Sequence, residues 1–161
     1  MLVNKAAAEN LLIQTIYDNK NYFYRITKRI VQNEQDVEDA FQETVLRAFK
    51  SLGKLQKEEY IKTWLTSILI NQCKNILKKK KLITFNEDFP QGIEEFNHDK
   101  LELRDLVNKL NYDLKIIAVL YYYEDLPQKH IAEILDLPVG TVKSRLSKVR
   151  SELKIMMDIK E

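Results

Sequence analysis

The sequence predicts an all-α protein with two helical domains joined by an acidic linker. Apolar residues recur at spacings of three and four through most of the 161 residues, which is the period of amphipathic helices. Glycine and proline, the residues that most often interrupt helices, number only three each. Acidic and basic residues form separate blocks although the formal net charge is only +2. This sorting indicates separate surfaces for different partners.

Residues 1–81 are predicted to form the first domain, a helical bundle. One helix runs through an acidic segment and ends at Gly53, which we expect to act as the helix C-cap. A later helix carries Trp64 on its apolar side and runs into the lysine block 78–81. Three apolar stripes define the bundle most clearly: Tyr22, Phe23, Ile26 and Ile30; Val37, Ala40, Phe41, Val45, Ala48 and Phe49; and Trp64, Leu65, Ile68, Leu69 and Cys73.

Residues 82–102 are predicted to be an extended acidic linker. No helical or strand period persists there, and Pro90 and Gly92 interrupt the chain. Residues 82–100 hold five carboxylates and a single cation, Lys100. This segment separates the first bundle from a second, smaller helical domain at 103–161.

The second domain contains a segment with the layout of a helix-turn-helix. Asp113 is placed to cap the helix that precedes this segment. Pro127 suits the first turn of a short helix, Asp136 to Pro138 form the turn, and a second helix follows from Gly140 or Thr141. Asp136 stands where a left-handed residue, often glycine, is expected.

The second helix of this motif is predicted to carry cations and hydroxyls on its outward face. Lysine and arginine neutralise phosphates, and arginine, lysine and serine near the start of a recognition helix reach base edges in the major groove. An ordinary solvated face is the alternative, but the short preceding helix, the small Ala132 and the three-residue turn favour DNA binding. Counting around the helix leaves Lys143, Ser144, Ser147 and Lys148 on the outward face, with Arg145 and Arg150 on its flanks.

Several features of the sequence limit the classes to which the protein can belong. The one cysteine, Cys73, permits no intrachain disulfide, which is typical of the reducing cytoplasm. No signal-peptide pattern occurs, and no apolar run approaches the ~20 residues of a membrane span. We expect no enzymatic activity, no cofactor and no bound metal, because only His130 and Glu133 have a metal-ligand spacing and no catalytic arrangement is apparent.

Three segments, in order, resemble the sigma-70 family of bacterial RNA polymerase sigma factors. D-V-E-D-A-F-Q-E-T-V-L-R-A-F is similar to region 2.2, and T-W-L-T-S-I-L-I-N-Q-C-K-N-I-L is similar to regions 2.3 and 2.4. Q-K-H-I-A-E-I-L followed by P-V-G-T-V-K-S-R-L resembles the fourth conserved domain. The length leaves room for domains two and four alone, as in the extracytoplasmic-function (ECF) sigma factors. Two departures are Pro127, where the family commonly has Ser or Thr, and Asp136, where glycine is usual.

The resemblance implies a promoter-specificity subunit with three contact surfaces. The implied partners are core RNA polymerase, through its clamp helices and flap, promoter DNA, and an anti-sigma factor, which in the family is often membrane-bound. The region 2.2 residues implied to bind polymerase are Asp36, Asp39, Gln42 and Glu43. The residues implied to read the minus-10 element are Lys62, Trp64, Asn71, Lys74 and Asn75, although Trp64 also fits the core. The helix-turn-helix residues implied to read the minus-35 element are Thr141, Lys143, Ser144, Arg145, Ser147 and Lys148.

Two other functions remain open at this point. A conventional dimeric repressor or activator would use the same helix-turn-helix on palindromic half-sites. The second alternative is a sigma-like protein that binds polymerase or a regulator without starting transcription. The first leaves the region 2 motifs without a role, and the cationic recognition face argues against the second.

Overall fold

The computed structural model describes residues 4–86 and 98–159, and every regular element within them is helical. The all-α prediction is therefore confirmed. No helix in this described part of the chain has both the length and the apolarity needed to cross a bilayer. The α-helices are α1 (Lys5–Asp18), α2 (Lys20–Val31), α3 (Glu34–Ser51), α4 (Ile61–Asn86), α5 (His98–Lys109), α6 (Tyr112–Ala118), α7 (Gln128–Leu135) and α8 (Val139–Ile159).

The chain divides into two compact units, and the division falls inside α4. The first unit contains residues up to Ile76 together with 133–135, and the second begins at Leu77 and contains the rest. The domain boundaries at residues 81 and 102 stay a prediction.

The first unit buries the centre of each predicted apolar stripe of α2 to α4. At the margins of these stripes Phe49 is exposed, and five residues are only partly buried: Tyr22, Phe41, Val45, Trp64 and Ile68. Leu12, Ile26, Ile30, Leu65 and Leu69 are all 1% exposed or less. Four buried threonines lie among them, and each hydroxyl donates a hydrogen bond to the carbonyl four residues earlier, at 2.6–2.7 Å. Because these hydroxyls are satisfied within their own helices, they enter the core without the cost of an unpaired polar group.

The corner between α2 and α3 is strained and fastened by side chains. Gln32 has φ 66° and ψ −30°, and the N–H of Asn33 donates back to the carbonyl of Val31 at 2.8 Å, which closes a tight γ-turn. Beside it, the Lys28 ammonium lies 2.7 Å from Glu34, and the Tyr24 hydroxyl donates to the same carboxylate at 2.6 Å. These contacts hold the start of α3 against α2.

The end of α3 differs from the prediction. The helix stops at Ser51, and Gly53 lies within a 3₁₀ turn, Leu52–Lys54, rather than in the left-handed conformation of a glycine C-cap. Leu52 and Leu55 are buried on either side of Gly53. The buried pair fixes the path of the chain here, so the turn does not depend on glycine's access to positive φ.

The linker prediction is also corrected at both ends. α4 continues to Asn86, and α5 begins at His98, so residues 82–86 and 98–102 are helical. A formed helix gains one hydrogen bond for each residue added, and the sequence has no glycine or proline from Ile61 to Asn86. The middle of the predicted linker, 87–97, lies outside the described residues.

The second unit is organised around the end of α5, α6 and α8. Its core contains Val107, Leu110, Leu114, Ala118 and Val149, with Tyr123, Leu153 and Met156 packed against it. The predicted cap at Asp113 is wrong, because Asn111 accepts the hydrogen bond of the Leu114 N–H at 3.0 Å. Asp113 instead lies in the first turn, where a carboxylate also favours the helix dipole.

We predict that Gln32→Gly stabilises the chain. Glycine adopts positive φ without the steric cost that a glutamine side chain meets, so the free energy of unfolding should rise by about 1 kcal/mol. Urea denaturation measures it. Gln35→Gly is the matched control, because Gln35 is helical in α3 and there glycine should be destabilising. A loss of stability in both variants would contradict the strain at Gln32.

The cluster at Glu34 predicts a pH-dependent contribution to stability. Hydrogen bonds from Lys28 and then Tyr24 lower the pKa of Glu34 below its ordinary 4.5, and the hydrogen bond to Glu34 raises the pKa of Tyr24. A lowered folded-state pKa stabilises the fold above pH 4.5, and this contribution is lost as pH falls through the folded pKa. Wild type should therefore exceed Glu34→Gln in unfolding free energy at neutral pH, with the difference shrinking in acid. A difference independent of pH would contradict this.

Candidate nucleic-acid interface

The predicted polymerase-binding residues lie on one side of α3. Asp39 and Gln42 are exposed, and Asp36 and Glu43 are partly buried. Asn33 starts the helix by accepting hydrogen bonds from the N–H groups of Gln35 and Asp36 at 2.8 and 3.3 Å. We call Asp36, Asp39, Gln42 and Glu43 the acidic face.

Two carboxylates of the acidic face are held by neighbours on the same helix. Gln35 donates to Asp39 at 3.1 Å, and the Arg47 Nε donates to Glu43 at 2.8 Å. Pairs four residues apart on an exposed helix stabilise it only weakly. They orient the carboxylates while leaving their other oxygens to accept hydrogen bonds from a partner.

An apolar residue that was not predicted to contact a partner lies within this surface. Leu46 follows Asp39, Gln42 and Glu43 at the spacing of one helical stripe, and it is 56% exposed. One turn further along, Phe49 is 38% exposed. The signal was present in the sequence, because a leucine on an otherwise polar stripe is unusual for a solvated face. An exposed apolar residue amid oriented carboxylates is typical of a binding surface.

Most of the predicted minus-10 residues share one face of α4. Asn71, Lys74 and Asn75 share this face with Lys78, a residue of the lysine block that was not among the predicted minus-10 residues. The four follow the spacing i, i+3, i+4, i+7, and we call them the α4 stripe. Asn71, Asn75 and Lys78 are exposed, and Lys74 is partly buried. Trp64 and the unpredicted Ser67 continue the stripe toward the helix start, and both are partly buried. Trp64 therefore keeps an accessible edge and is not enclosed in the core.

Lys62 is not brought together with the α4 stripe. It precedes Asn71 by nine residues, about two and a half helical turns, so the two side chains leave opposite sides of α4. The Lys62 ammonium lies 4.2 Å from the centroid of the Tyr22 ring on α2. Its side chain thus takes part in a cation–π contact between α2 and α4, and its role in DNA binding stays a prediction.

Two further features of the first unit bear on function. Tyr60 directly precedes α4, is 50% exposed, and has the Lys57 ammonium 5.9 Å from its ring centroid. An exposed aromatic ring with a cation beside it can stack on a base, and sequence reasoning did not select it. Cys73, by contrast, is fully buried on the inner side of α4, as expected.

The helix-turn-helix is built by α7, a short turn and α8. The carbonyl of Pro127 accepts hydrogen bonds from His130 and Ile131 and so begins α7. Asp136 has φ 52°, as the left-handed position required. The carbonyl of Pro138 accepts from Thr141 and Val142, so α8 begins at Val139, one to two residues earlier than predicted.

All six predicted minus-35 residues occur on the outer sides of α8. Val142, Leu146 and Val149 are 0% exposed, which fixes the rotation of the helix. Thr141 and Arg145 are partly buried, and the Ser144 hydroxyl donates to the carbonyl of Thr141 at 3.0 Å. Lys143, Ser144, Ser147 and Lys148 are exposed, and the six residues together are called the α8 face.

Comparison with known proteins places these surfaces in a family. The family model for Sigma-70 region 2 matches residues 16–83, and the model for Sigma-70, region 4 matches residues 100–153. RNA polymerase sigma factor SigV of Bacillus subtilis (strain 168) is 31% identical over 157 residues, covering 95% of each chain. The chain belongs to the sigma-70 family. The acidic face and the α4 stripe lie in its region 2, and the α8 face lies in its region 4.

The relatives also identify the group within the sigma-70 family. The ECF RNA polymerase sigma-E factor of Haemophilus influenzae is 31% identical over 166 residues, covering 91% of this chain and 86% of that protein. This confirms the ECF resemblance. The function class that goes with it is promoter-specific initiation of transcription by RNA polymerase.

Solved structures agree on the fold. CnrH, in complex with the cytosolic domain of CnrY, has a TM-score of 0.69 at 17% identity and covers 98% of both chains. Sigma factor RpoE, in complex with the anti-sigma factor NepR from Bartonella quintana, has a TM-score of 0.68 at 21% identity, covering 92% of this chain and 97% of that one.

Proposed function

We propose that this ECF sigma factor binds core RNA polymerase through the acidic face, reads the minus-10 element with the α4 stripe and reads the minus-35 element with the α8 face. The observation that carries the proposal is that the two matched regions present surfaces of different chemistry. Region 2 contributes an acidic surface and an amide-rich one, and region 4 contributes a cationic recognition helix.

The α8 face suits double-stranded DNA. Its buried side holds the helix on the core, and the opposite side presents cations together with serine hydroxyls. Lys143, Arg145 and Lys148 can neutralise phosphates or donate to guanine O6 and N7. Ser144 and Ser147 can donate to or accept from any base edge, so these serines adjust the readout rather than determine it alone.

The α4 stripe suits single-stranded DNA. The amides of Asn71 and Asn75 each offer donors and an acceptor to the edge of an unpaired base. Trp64 and Tyr60 offer rings for stacking, and Lys74 and Lys78 offer charge to the backbone. The amides are exposed, so a strand could reach them without unfolding the helix.

The acidic face suits an arginine- or lysine-rich helix of the polymerase. Its carboxylates provide charge-assisted hydrogen bonds, and Leu46 provides an apolar anchor at the same surface. Region 4 is proposed to rest on the polymerase flap. Two modest DNA contacts tethered on one polymerase reinforce each other through effective concentration, so the free chain should bind duplex promoter weakly.

An anti-sigma factor is the proposed regulator. Both solved structures of similar fold were obtained as complexes, CnrH with the cytosolic domain of CnrY and RpoE with the anti-sigma factor NepR. We infer that a comparable anti-sigma factor binds this chain in the cytoplasm. If that anti-sigma factor is membrane-bound, it can transmit a signal from outside the cell. We assign the chain no enzymatic activity, because RNA synthesis belongs to the polymerase.

A conventional dimeric regulator is a weaker explanation. It would account for the α8 face, but it gives no role to the region 2 match over residues 16–83.

We predict that purified chain and bacterial core polymerase start transcription at discrete sites in a pool of genomic fragments. Replacing Lys143, Arg145 and Lys148 with Ala should abolish starts that depend on a shared upstream element, because the phosphate and base contacts of α8 are lost. Sequencing of transcript ends measures this. Lys5, Lys54 and Lys109, all exposed, form the control triple because their replacement removes the same charge elsewhere.

Two results would contradict that assignment. One is an absence of discrete starts combined with tight, polymerase-independent binding to a palindrome, which would indicate a dimeric regulator. The other is equal activity of the α8 triple variant and the control triple, which would remove the α8 face from promoter recognition.

We predict that Asp39→Arg weakens binding to core polymerase by about tenfold or more, because a cation replaces an anion facing a basic partner helix. Fluorescence titration of labelled chain with core polymerase measures the affinity. Glu38→Arg is the matched control, since Glu38 is also exposed on α3 but lies off the stripe of Asp39 and Leu46. Equal losses in both variants would indicate a general charge effect and not the acidic face.

A further inference from the structure

Gly140 is a glycine that the fold does not need. It is the second residue of α8, and its φ is not in the positive range that favours glycine. A Cβ built on Gly140 meets no atom within 4 Å. Neither backbone conformation nor packing within the chain therefore requires a glycine at this position. In a helix, glycine is the poorest residue except proline, so alanine would serve the fold better.

The rest of the chain makes this placement more notable. The sequence contains only three glycines. Gln32, Asp125 and Asp136 have φ values of 66°, 54° and 52°, where glycine would relieve strain, yet all three carry side chains. Among the described residues, glycine is thus missing from the three positions where positive φ favours it, whereas Gly140 lies in helical backbone where glycine has no advantage.

Gly140 lies in line with the α8 face. Ser144 and Ser147 follow it by four and seven residues, so the three share one side of the helix. Its neighbour Val139 is 39% exposed, and Pro138 is exposed as well. The outward side of the first turn of α8 therefore carries no long side chain. The first one, Lys143, follows one turn later.

We propose that Gly140 is the point of closest approach between α8 and the minus-35 duplex. A glycine permits a backbone to approach a partner more closely than any other residue does. With no Cβ at this point, the first turn of α8 can lie against the DNA, which brings Ser144, Ser147 and Lys143 within hydrogen-bond reach of base edges. Gly140 is then a positioning residue, and this inference rests on the proposed function of the α8 face.

The test uses Gly140→Ala and Gly140→Leu in the full-length chain. Both replacements are good helix formers and both enter open space, so thermal stability should rise or stay unchanged. With core polymerase, on promoters recovered with the wild-type chain, preference for the intact upstream element over a scrambled one should fall by about tenfold for alanine, the size of one lost base contact. The loss should be larger for leucine, because the larger side chain holds the helix further from the duplex.

Gly53→Ala and Gly53→Leu are the matched controls. A Cβ at Gly53 also meets nothing within 4 Å, but this glycine lies in the first unit and outside the helix-turn-helix. These variants should retain the wild-type preference for the upstream element. A size-graded loss confined to Gly140, without loss of stability, supports the proposal, since a purely structural role would lower both quantities together.

Two outcomes would overturn the inference. Full preference for the upstream element in both Gly140 variants would show that no partner approaches the helix closely there. Reduced thermal stability in those variants would show that the fold does need this glycine. The triple alanine variant of Lys143, Arg145 and Lys148 distinguishes failure of the proposed function from failure of the Gly140 inference. If this variant also keeps its preference for the upstream element, the α8 face does not read that element, and the proposed function itself is wrong.

Discussion

Each surface proposed to bind a partner is the outer side of a helix whose opposite side is buried. α8 shows the constraint most clearly, because Val142, Leu146 and Val149 are completely buried and permit only one rotation of the helix. The side chains of the α8 face project outward as a consequence. α3 and α4 obey the same rule in the first unit. Burial of apolar stripes therefore decides both the stability of the helices and the residues that they offer to partners.

The three surfaces differ in chemistry because their proposed partners differ. The acidic face carries carboxylates and an exposed leucine, the α4 stripe carries amides and lysines, and the α8 face carries cations and hydroxyls. A single mixed surface could not favour a basic protein helix and a phosphate backbone at once. Sorting of charge along a chain of net charge +2 allows both contacts without a large overall field.

Backbone strain and the use of glycine follow different requirements in this chain. Left-handed Asp136 lies in the turn of the helix-turn-helix, where aspartate tolerates the conformation better than most side chains do. Gly140 lies four residues later in ordinary helical backbone with open space around it. The residue at position 136 is explained by the turn that the fold requires. The glycine at position 140 is explained by the proposed close approach of a partner. Residues that fit the fold poorly without an internal reason are expected at functional sites.

The sequence by itself determined the helical class, the order of the two conserved regions, the left-handed turn at Asp136 and the outward side of α8. These features depend on local periodicity and on short motifs, which a linear sequence contains in full. Only the tertiary structure decided that α4 continues to Asn86, that Asn111 rather than Asp113 caps α6, and that Lys62 packs on Tyr22 away from the α4 stripe. The Lys62 contact depends on which side chain lies beside it in space. The end of α4 and the cap of α6 depend on hydrogen bonds at the helix ends, and apolar periodicity does not specify these.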